Sequence, residues 1–269
     1  MDSLKTLESW PVDNVAGSVV ANGEVYAHGD VDRVFDTMSV TKPVAAYGFL
    51  LAYEEGIFEL DSPAGPDGAT IRHLLAHASG VGFDSPEPQR PVEDRRIYSS
   101  AGFEILADIV AEEAGMPFAE YLHEAVFVPL GMNSSVLEGS AGHGMKSTVS
   151  DLTRFAQELI TPTLLSRQTL DEAFTLQYPD LIGTVPGYGM QKPCPWGLGF
   201  EIKGDKTPHW TGTTMPENTV GHFGQSGTFI WTVPGSGYAG VVLGDRAFGA
   251  WAKPLWSDFN DEVWAELTA

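Results

Sequence analysis

Only one cysteine occurs among the 269 residues, Cys194, set between Pro193 and Pro195. A single thiol excludes an internal disulfide framework, which fits a reducing compartment. Nothing in that Pro-Cys-Pro run would lower its pKa, which speaks against a cysteine nucleophile. Basic residues are scarce as well: 15 Lys and Arg stand against 36 Asp and Glu, for a formal charge of −21. Such a surface repels phosphate backbones and anionic lipid, so no nucleic-acid and no membrane partner is expected, and solubility accounts for the acidity. No apolar run approaches the ~18 residues that span a bilayer, and the segment after Met1 leads into no apolar leader. A cytoplasmic location is therefore the expectation, although the mature form of a processed precursor would read the same. Internal repeats and low-complexity tracts are lacking too. A chain of this length suffices for one large domain or two intimate ones, with ample core.

What the chain does contain is strand pattern at both ends and helical pattern between. Gly17 to Tyr26 reads as two short β runs around Asn22-Gly23, a strong hairpin signal. Phe229–Val233 and Tyr238–Leu243, joined by Pro234-Gly235-Ser236-Gly237, read as a second hairpin. Trp251, Leu255, Trp256, Phe259, Val263 and Leu267 fall at helical spacing, predicting a terminal helix that covers one face of the sheet. Further helices are predicted over Ile71–Ala78, around Phe103–Val110 with a stop at Gly115-Met116-Pro117, and over Phe118–Val128 before Pro129. Ser150-Asp151 is read as the cap of another, with Leu152, Phe155, Ala156 and Leu159 on one face. Tyr178 to Pro195 reads as a long loop returning to a strand over Leu198–Ile202. The fold class is thus α+β: an antiparallel sheet built from both chain ends and covered by helices, with an inserted, mainly helical lobe. The expected division is a single domain over 1–269, its α/β lobe about 1–70 and 190–269 and its helical lobe about 71–189, with a cleft between.

The most informative local pattern is Ser39-Val40-Thr41-Lys42. It opens a run, Pro43 to Ala52, that is apolar on every face and so predicts a helix buried all round. Pro43 fits its first turn and Gly56 its C-terminal cap. Ser39 then stands at the helix N-terminus, where unpaired N–H groups and the dipole favour negative charge on oxygen. Lys42, three residues on, shares its face. A buried lysine loses its proton readily and can serve as the base for a serine hydroxyl. The same letters also fit a simple helix cap and a snorkelling lysine, and the surrounding sequence must decide.

That surrounding sequence resembles the serine β-lactamase and penicillin-binding-protein superfamily, in its class C β-lactamase-like branch of esterases, D-aminopeptidases and D,D-peptidases. Besides Ser39–Lys42, the likeness is carried by His73-Leu74-Leu75-Ala76-His77-Ala78-Ser79-Gly80, by Tyr98-Ser99-Ser100 where the family has Tyr-x-Asn, and by Pro129-Leu130-Gly131-Met132. Ser147–Leu152 and Gly221-His222-Phe223-Gly224, at the family's Lys-Thr-Gly or His-x-Gly position, complete it. The resemblance implies a β-lactamase/transpeptidase-like fold. It implies Ser39 as the acylated nucleophile and Lys42 with Tyr98 as the pair that moves its proton. It further implies an oxyanion hole from the N–H groups of Ser39 and Gln225, and Ser100, His222 and Gly224 as substrate-binding residues, the glycine letting substrate lie close to its strand.

No metal and no cofactor is implied. His73 and His77 are four apart but lack the glutamate of His-Glu-x-x-His, and neither Ser79 nor Ser226 lies in a Gly-x-Ser-x-Gly elbow. Two departures from the pattern matter. Ser100 replaces the asparagine that would grip a substrate amide, and His222 replaces a lysine that would attract a carboxylate. The function expected is an acyl-enzyme serine hydrolase of small esters or amides, carboxylesterase-like. A D-aminopeptidase, D,D-peptidase or weak β-lactamase of the same mechanism is the alternative, and a non-catalytic binding module that keeps the fold is the alternative of another class.

Overall fold

The computed structural model describes residues 1–269. Its centre is a six-stranded antiparallel sheet in the order Glu24–His28, Val15–Ala21, Tyr238–Gly244, Thr228–Val233, Val220–Gly224, Glu201–Ile202. The first hairpin forms as read: Asn22 and Gly23 both take positive φ, 52° and 90°, the pair of conformations that a two-residue turn between twisted strands requires. Val15–Ala21 then pairs along its whole length with Tyr238–Gly244, from Val15 opposite Gly244 to Ala21 opposite Tyr238. The sheet is therefore closed by residues more than 200 positions apart.

Alternation along these strands fills two cores. Val19, Phe229, Trp231 and Val242 pack with Trp256, Phe259 and Val263 of the terminal helix Ala252–Leu267. Trp231 Nε1 donates to Asn260 Oδ1 of that helix at 2.8 Å, so the indole is buried with its polar atom satisfied. Val20, Ile230, Val241 and Leu243 point to the other face and join a larger core with the helices Thr41–Glu54 and Val149–Ile160. Every residue from Thr41 to Ala52 is buried, as the all-apolar run predicts, and Pro43 lies in the first turn. Tyr47 on this helix donates to the buried Glu158 carboxylate at 2.6 Å, tying it to Val149–Ile160.

Several local expectations are corrected. The helix Val149–Ile160 is capped by Thr148, whose Oγ1 accepts from Asp151 N at 3.1 Å, and not by Ser150-Asp151. Asp151 instead accepts from Ser134 N and Ser135 Oγ, both at 2.8 Å, tying the chain before Val136 to this helix. That helix lies within 71–189 yet packs on the sheet, so the allotment of that whole stretch to a helical lobe does not hold. The segment after Phe118 passes through a wider turn at His123–Phe127 and on through Pro129 to stop at Gly131, where φ is +68°. The early helix is shorter than read, Ile71–Leu75. A helix over Arg167–Phe174, capped by Ser166, lies in a stretch where none was read. Gly183–Val185 and Gly189–Gln191 form a small hairpin inside the supposed loop.

The expected strand over Leu198–Ile202 shrinks to Glu201–Ile202 because Gly199 sits at φ +85°. This bend lets the backbone settle on the helix that carries Lys42: a Cβ on Gly199 would stand 2.2 Å from Ala46 Cβ. Gly199→Ala meets both the φ penalty and that clash, so it is expected to lower the unfolding free energy by about 2 kcal/mol or more, measured by urea denaturation.

Candidate active site

Ser39 sits in the short 3-10 turn Met38–Val40, which runs straight into the helix Thr41–Glu54. Its neighbours pin that turn. Thr37 Oγ1 donates to Met145 O at 2.9 Å, and Met145 N donates to Thr41 Oγ1 at 3.0 Å. Met38 is held at φ +47°, a conformation that a side chain seldom takes, and it flanks Ser39 in the way strain often flanks a working residue. On the sheet side, Gly224 abuts the turn: a Cβ there would meet Thr37 O at 2.3 Å and Thr228 Oγ1 at 2.4 Å. A reason for this glycine follows from the packing alone. Its missing side chain makes room for the turn bearing Ser39.

One turn into the helix, Lys42 is fully buried. Nζ donates to Ser100 Oγ at 3.0 Å and to Gly142 O at 2.8 Å, and it lies 4.5 Å from the centroid of the Tyr98 ring. None of these partners is an anion. Desolvation accordingly pulls its pKa down to about 7, with only the more distant Glu104 opposing. The peptide carrying Gly142 can come this close because it lacks a side chain: a Cβ would fall 2.8 Å from Ser100 Cβ.

Tyr98, Trp196, His77 and His222 form an aromatic cluster with ring centroids 5.0 to 6.0 Å apart. Burial pushes the Tyr98 phenol above its ordinary range, while the neighbouring Ser39 hydroxyl favours its ionised form. Its Oη is buried with no partner in good hydrogen-bond geometry, as are His222 Nε2, His77 Nε2 and Trp196 Nε1. His222 donates from Nδ1 to Phe223 O at 2.7 Å, which leaves Nε2 as a lone-pair acceptor. Burial, reinforced by Lys42, lowers its pKa to about 4. At neutral pH it therefore offers a lone pair and no positive charge.

These groups converge on one cleft of about 220 Å³, lined by Ser39, Tyr98, Ser100, His222 and Gln225 together with Met38, Phe83, His143, Val185, Pro186, Trp196, Glu201 and Phe223. Ser39 and Gln225 line it together. A nucleophile-type hydroxyl at a helix start, a lysine of low pKa one turn away and a phenol beside both can carry out acyl transfer. A larger open depression, about 820 Å³ around Gly65–Asp67 and Pro86–Val92, contains none of these groups.

The Beta-lactamase family model matches residues 12–261. The chain belongs to this family. It is similar to a beta-lactamase from Mycobacterium bovis, at 48% identity over 99% of this chain and 100% of that one, with a TM-score of 0.97. It also resembles penicillin-binding protein 4* of Bacillus subtilis, at 25% identity over 54% of this chain. The matched stretch spans 49% of that relative's own length. A hydrolase with promiscuous acyltransferase activity shares the fold at a TM-score of 0.79, with 16% identity over 97% of this chain and 96% of that one.

In this beta-lactamase-family chain the two departures gain a physical setting. Ser100 Oγ accepts from Lys42 Nζ, so one of its lone pairs is engaged while its O–H is left to donate. Glu201 was not singled out in the sequence, yet it lines the cleft. Its carboxylate accepts from Lys206 Nζ at 2.7 Å, His209 Nε2 at 3.0 Å and Trp210 Nε1 at 2.8 Å. Though burial opposes it, these donors hold the Glu201 carboxyl well below the usual carboxylate range. A charge inside the apolar run Trp196–Ile202 was the available signal. Of the hydroxyls set aside, Ser226 Oγ donates to Asp36 O at 2.6 Å and Ser79 Oγ accepts from Val81 N at 3.3 Å. No helix is long and apolar enough to cross a membrane.

The burial of Lys42 carries a pH signature. In the unfolded chain this lysine keeps its proton to about pH 10, whereas in the fold it releases it near 7. Between these values the unfolded state binds more protons, so rising pH stabilises the fold. Urea denaturation of wild type and Lys42→Met should show the difference between them moving toward wild type by up to ~1.4 kcal/mol per pH unit across that window. A difference that stays flat would place the lysine pKa at its ordinary value.

Proposed function

We propose that this protein is a serine hydrolase that forms an acyl-enzyme on Ser39 and releases it to water. The observation that carries this reading is the buried Lys42, which has no anionic partner and a pKa of about 7, one helical turn from Ser39. Neutral Lys42 takes the serine proton, and Tyr98, whose pKa is raised, stays a neutral phenol that relays it to the leaving group. The N–H groups of Ser39 and Gln225 hold the developing oxyanion, helped by the helix N-terminus. Water then attacks the acyl carbonyl by the reverse proton path, and Ser39 regains its proton.

The substrates favoured are small esters and amides, esters first. No lysine stands at position 222 to pair with a substrate carboxylate, His222 presents a lone pair, and Ser100 offers a single hydroxyl, shared with Lys42, where an amide would span two partners. Aromatic and apolar walls from Phe83, Val185, Pro186 and Trp196 suit an uncharged acyl or aryl group. The likeness to the beta-lactamase from Mycobacterium bovis favours a second reading, β-lactam hydrolysis by the same residues.

A fluorophosphonate probe followed by intact-mass analysis should give one adduct, absent in Ser39→Ala. Against p-nitrophenyl butyrate and nitrocefin, kcat/KM should favour the ester by roughly a hundredfold or more, given two lost contacts at about 1–3 kcal/mol each. Efficient nitrocefin turnover with little ester hydrolysis would select the β-lactamase reading. An unlabelled protein inert to every substrate would select a binding module.

A further inference from the structure

Behind the cleft, the stretch of chain that carries Tyr98 is bound on both sides by a single residue. Ile97 N donates to His77 O at 2.9 Å, and Ser99 N donates to His77 Nδ1 at 3.2 Å. One histidine thus holds the residues that flank Tyr98, with its main chain before the tyrosine and its ring after it. The imidazole also packs edge-on against the Tyr98 ring, with centroids 5.0 Å apart and an angle of 60° between the planes. His77 itself is buried and does not line the cleft.

The backbone at His77 is bent to suit this task. Its φ is +56°, a left-handed conformation that few side chains other than Asn, Asp and His adopt. Its neighbours fasten the same two stretches together: the Arg96 guanidinium donates to Ala76 O, and Glu93 N donates to Ala78 O at 2.9 Å. An imidazole whose Nδ1 accepts carries its proton on Nε2. That N–H is buried without a hydrogen-bond partner, next to Tyr98 and Trp196, whose ring centroids both lie 5.0 Å from its own. The one polar contact of the ring is therefore with the peptide beside Tyr98. Burial, reinforced by the charge of Lys42, holds the His77 pKa well below the usual histidine range, so the ring stays neutral and the acceptor persists.

We propose that His77 is the positioning residue for Tyr98: by holding Ile97 and Ser99 it fixes where the phenol stands beside Lys42 and Ser39, and so sets proton delivery to the leaving group. The inference rests on the serine hydrolase reading above, in which Tyr98 protonates the departing atom. Lys42 Nζ lies only 4.5 Å from the Tyr98 ring centroid, and in so close an arrangement a misplacement of about 1 Å can cost on the order of a hundredfold in rate.

The test compares ethyl butyrate, followed by acid release, with p-nitrophenyl butyrate. Ethoxide is a strong base that must be protonated as it leaves, whereas p-nitrophenolate departs without a proton. Both esters form the same butyryl-enzyme, so the ratio of their kcat/KM values, ethyl over nitrophenyl, reports the acid catalysis of departure. Rates are referred to the sites titrated by a fluorophosphonate, which removes unfolded protein from the comparison. The ratio should fall about tenfold or more in His77→Phe, which lacks an acceptor, and in His77→Gln, whose Oε1 stands where Nε2 stood. Either variant serves if the other fails to fold. His77→Asn, whose Oδ1 stands where Nδ1 stood, should keep the ratio within about threefold of wild type. In Tyr98→Phe the ratio should also fall, and adding His77→Gln should lower it no further.

Equal losses on both esters, or a full further loss in the Tyr98→Phe background, would mark a general packing role and overturn the proposal. So would a His77→Asn variant as impaired as His77→Phe. If wild type hydrolyses neither ester, it is the hydrolase reading that fails, and hydrogen exchange at the Ser99 amide then decides the tether. Protection lost in His77→Gln and kept in His77→Asn upholds it, and equal protection in both overturns it.

Discussion

Placing the Lys42 ammonium in the interior with two neutral oxygens and no counter-ion is the constraint around which the neighbouring structure is arranged. A charged group so buried is unfavourable unless it is well solvated by dipoles or gives up its proton. Both responses are visible. Ser100 and Gly142 supply the dipoles, Gly142 lacks a side chain that would push its peptide away, and the face of Tyr98 covers the nitrogen. The residual cost appears as a pKa near 7, the range in which a general base is most effective. The positive charge that remains below this pKa also bears on its surroundings, adding to the burial that lowers the pKa values of His77 and His222.

Glu201 shows the opposite solution on the other side of the cleft. Its carboxylate is as buried as Lys42, yet three donors meet it, and it stays ionised. Lys206 and His209 are committed to that pair and to the loop that carries them, so the cleft has an anion fixed by structure and a base left adjustable. His222 lies between these influences. Its Nδ1–H is spent on Phe223 O, and the remaining lone pair faces the cleft in place of a lysine cation.

How much of this was legible in the sequence follows the range of each interaction. Ser39 and Lys42 could be read because their relation is local, three residues apart at the start of an unmistakably apolar helix. The Asn22-Gly23 turn and the terminal helix with Trp256, Phe259 and Val263 were legible for the same reason, since turn chemistry and periodicity act over a few residues. Thr148 was missed as a cap because Ser150-Asp151 presents an equally good local signal, and only the distant contacts of Asp151 with Ser134 and Ser135 decide between them. Position 142 offered no side chain to read, and its carbonyl bonds a lysine 100 residues earlier in the chain. The role of Gly224 and the acceptor tautomer of His222 depend on what lies across the sheet and the turn, which no spacing rule contains. The expected division into lobes failed at Val149–Ile160 because a strongly amphipathic helix does not announce which surface its apolar face will cover.

The account turns on the protonation of one side chain, which NMR reads directly. With lysine labelled at 13Cε and 15Nζ and the Lys42 signal assigned by comparison with Lys42→Met, a titration should place its pKa at about 7, with the neutral amine dominant by about pH 8. A signal that titrates in the ordinary lysine range above about pH 10 would contradict the account, and would leave Ser39 without its proposed base.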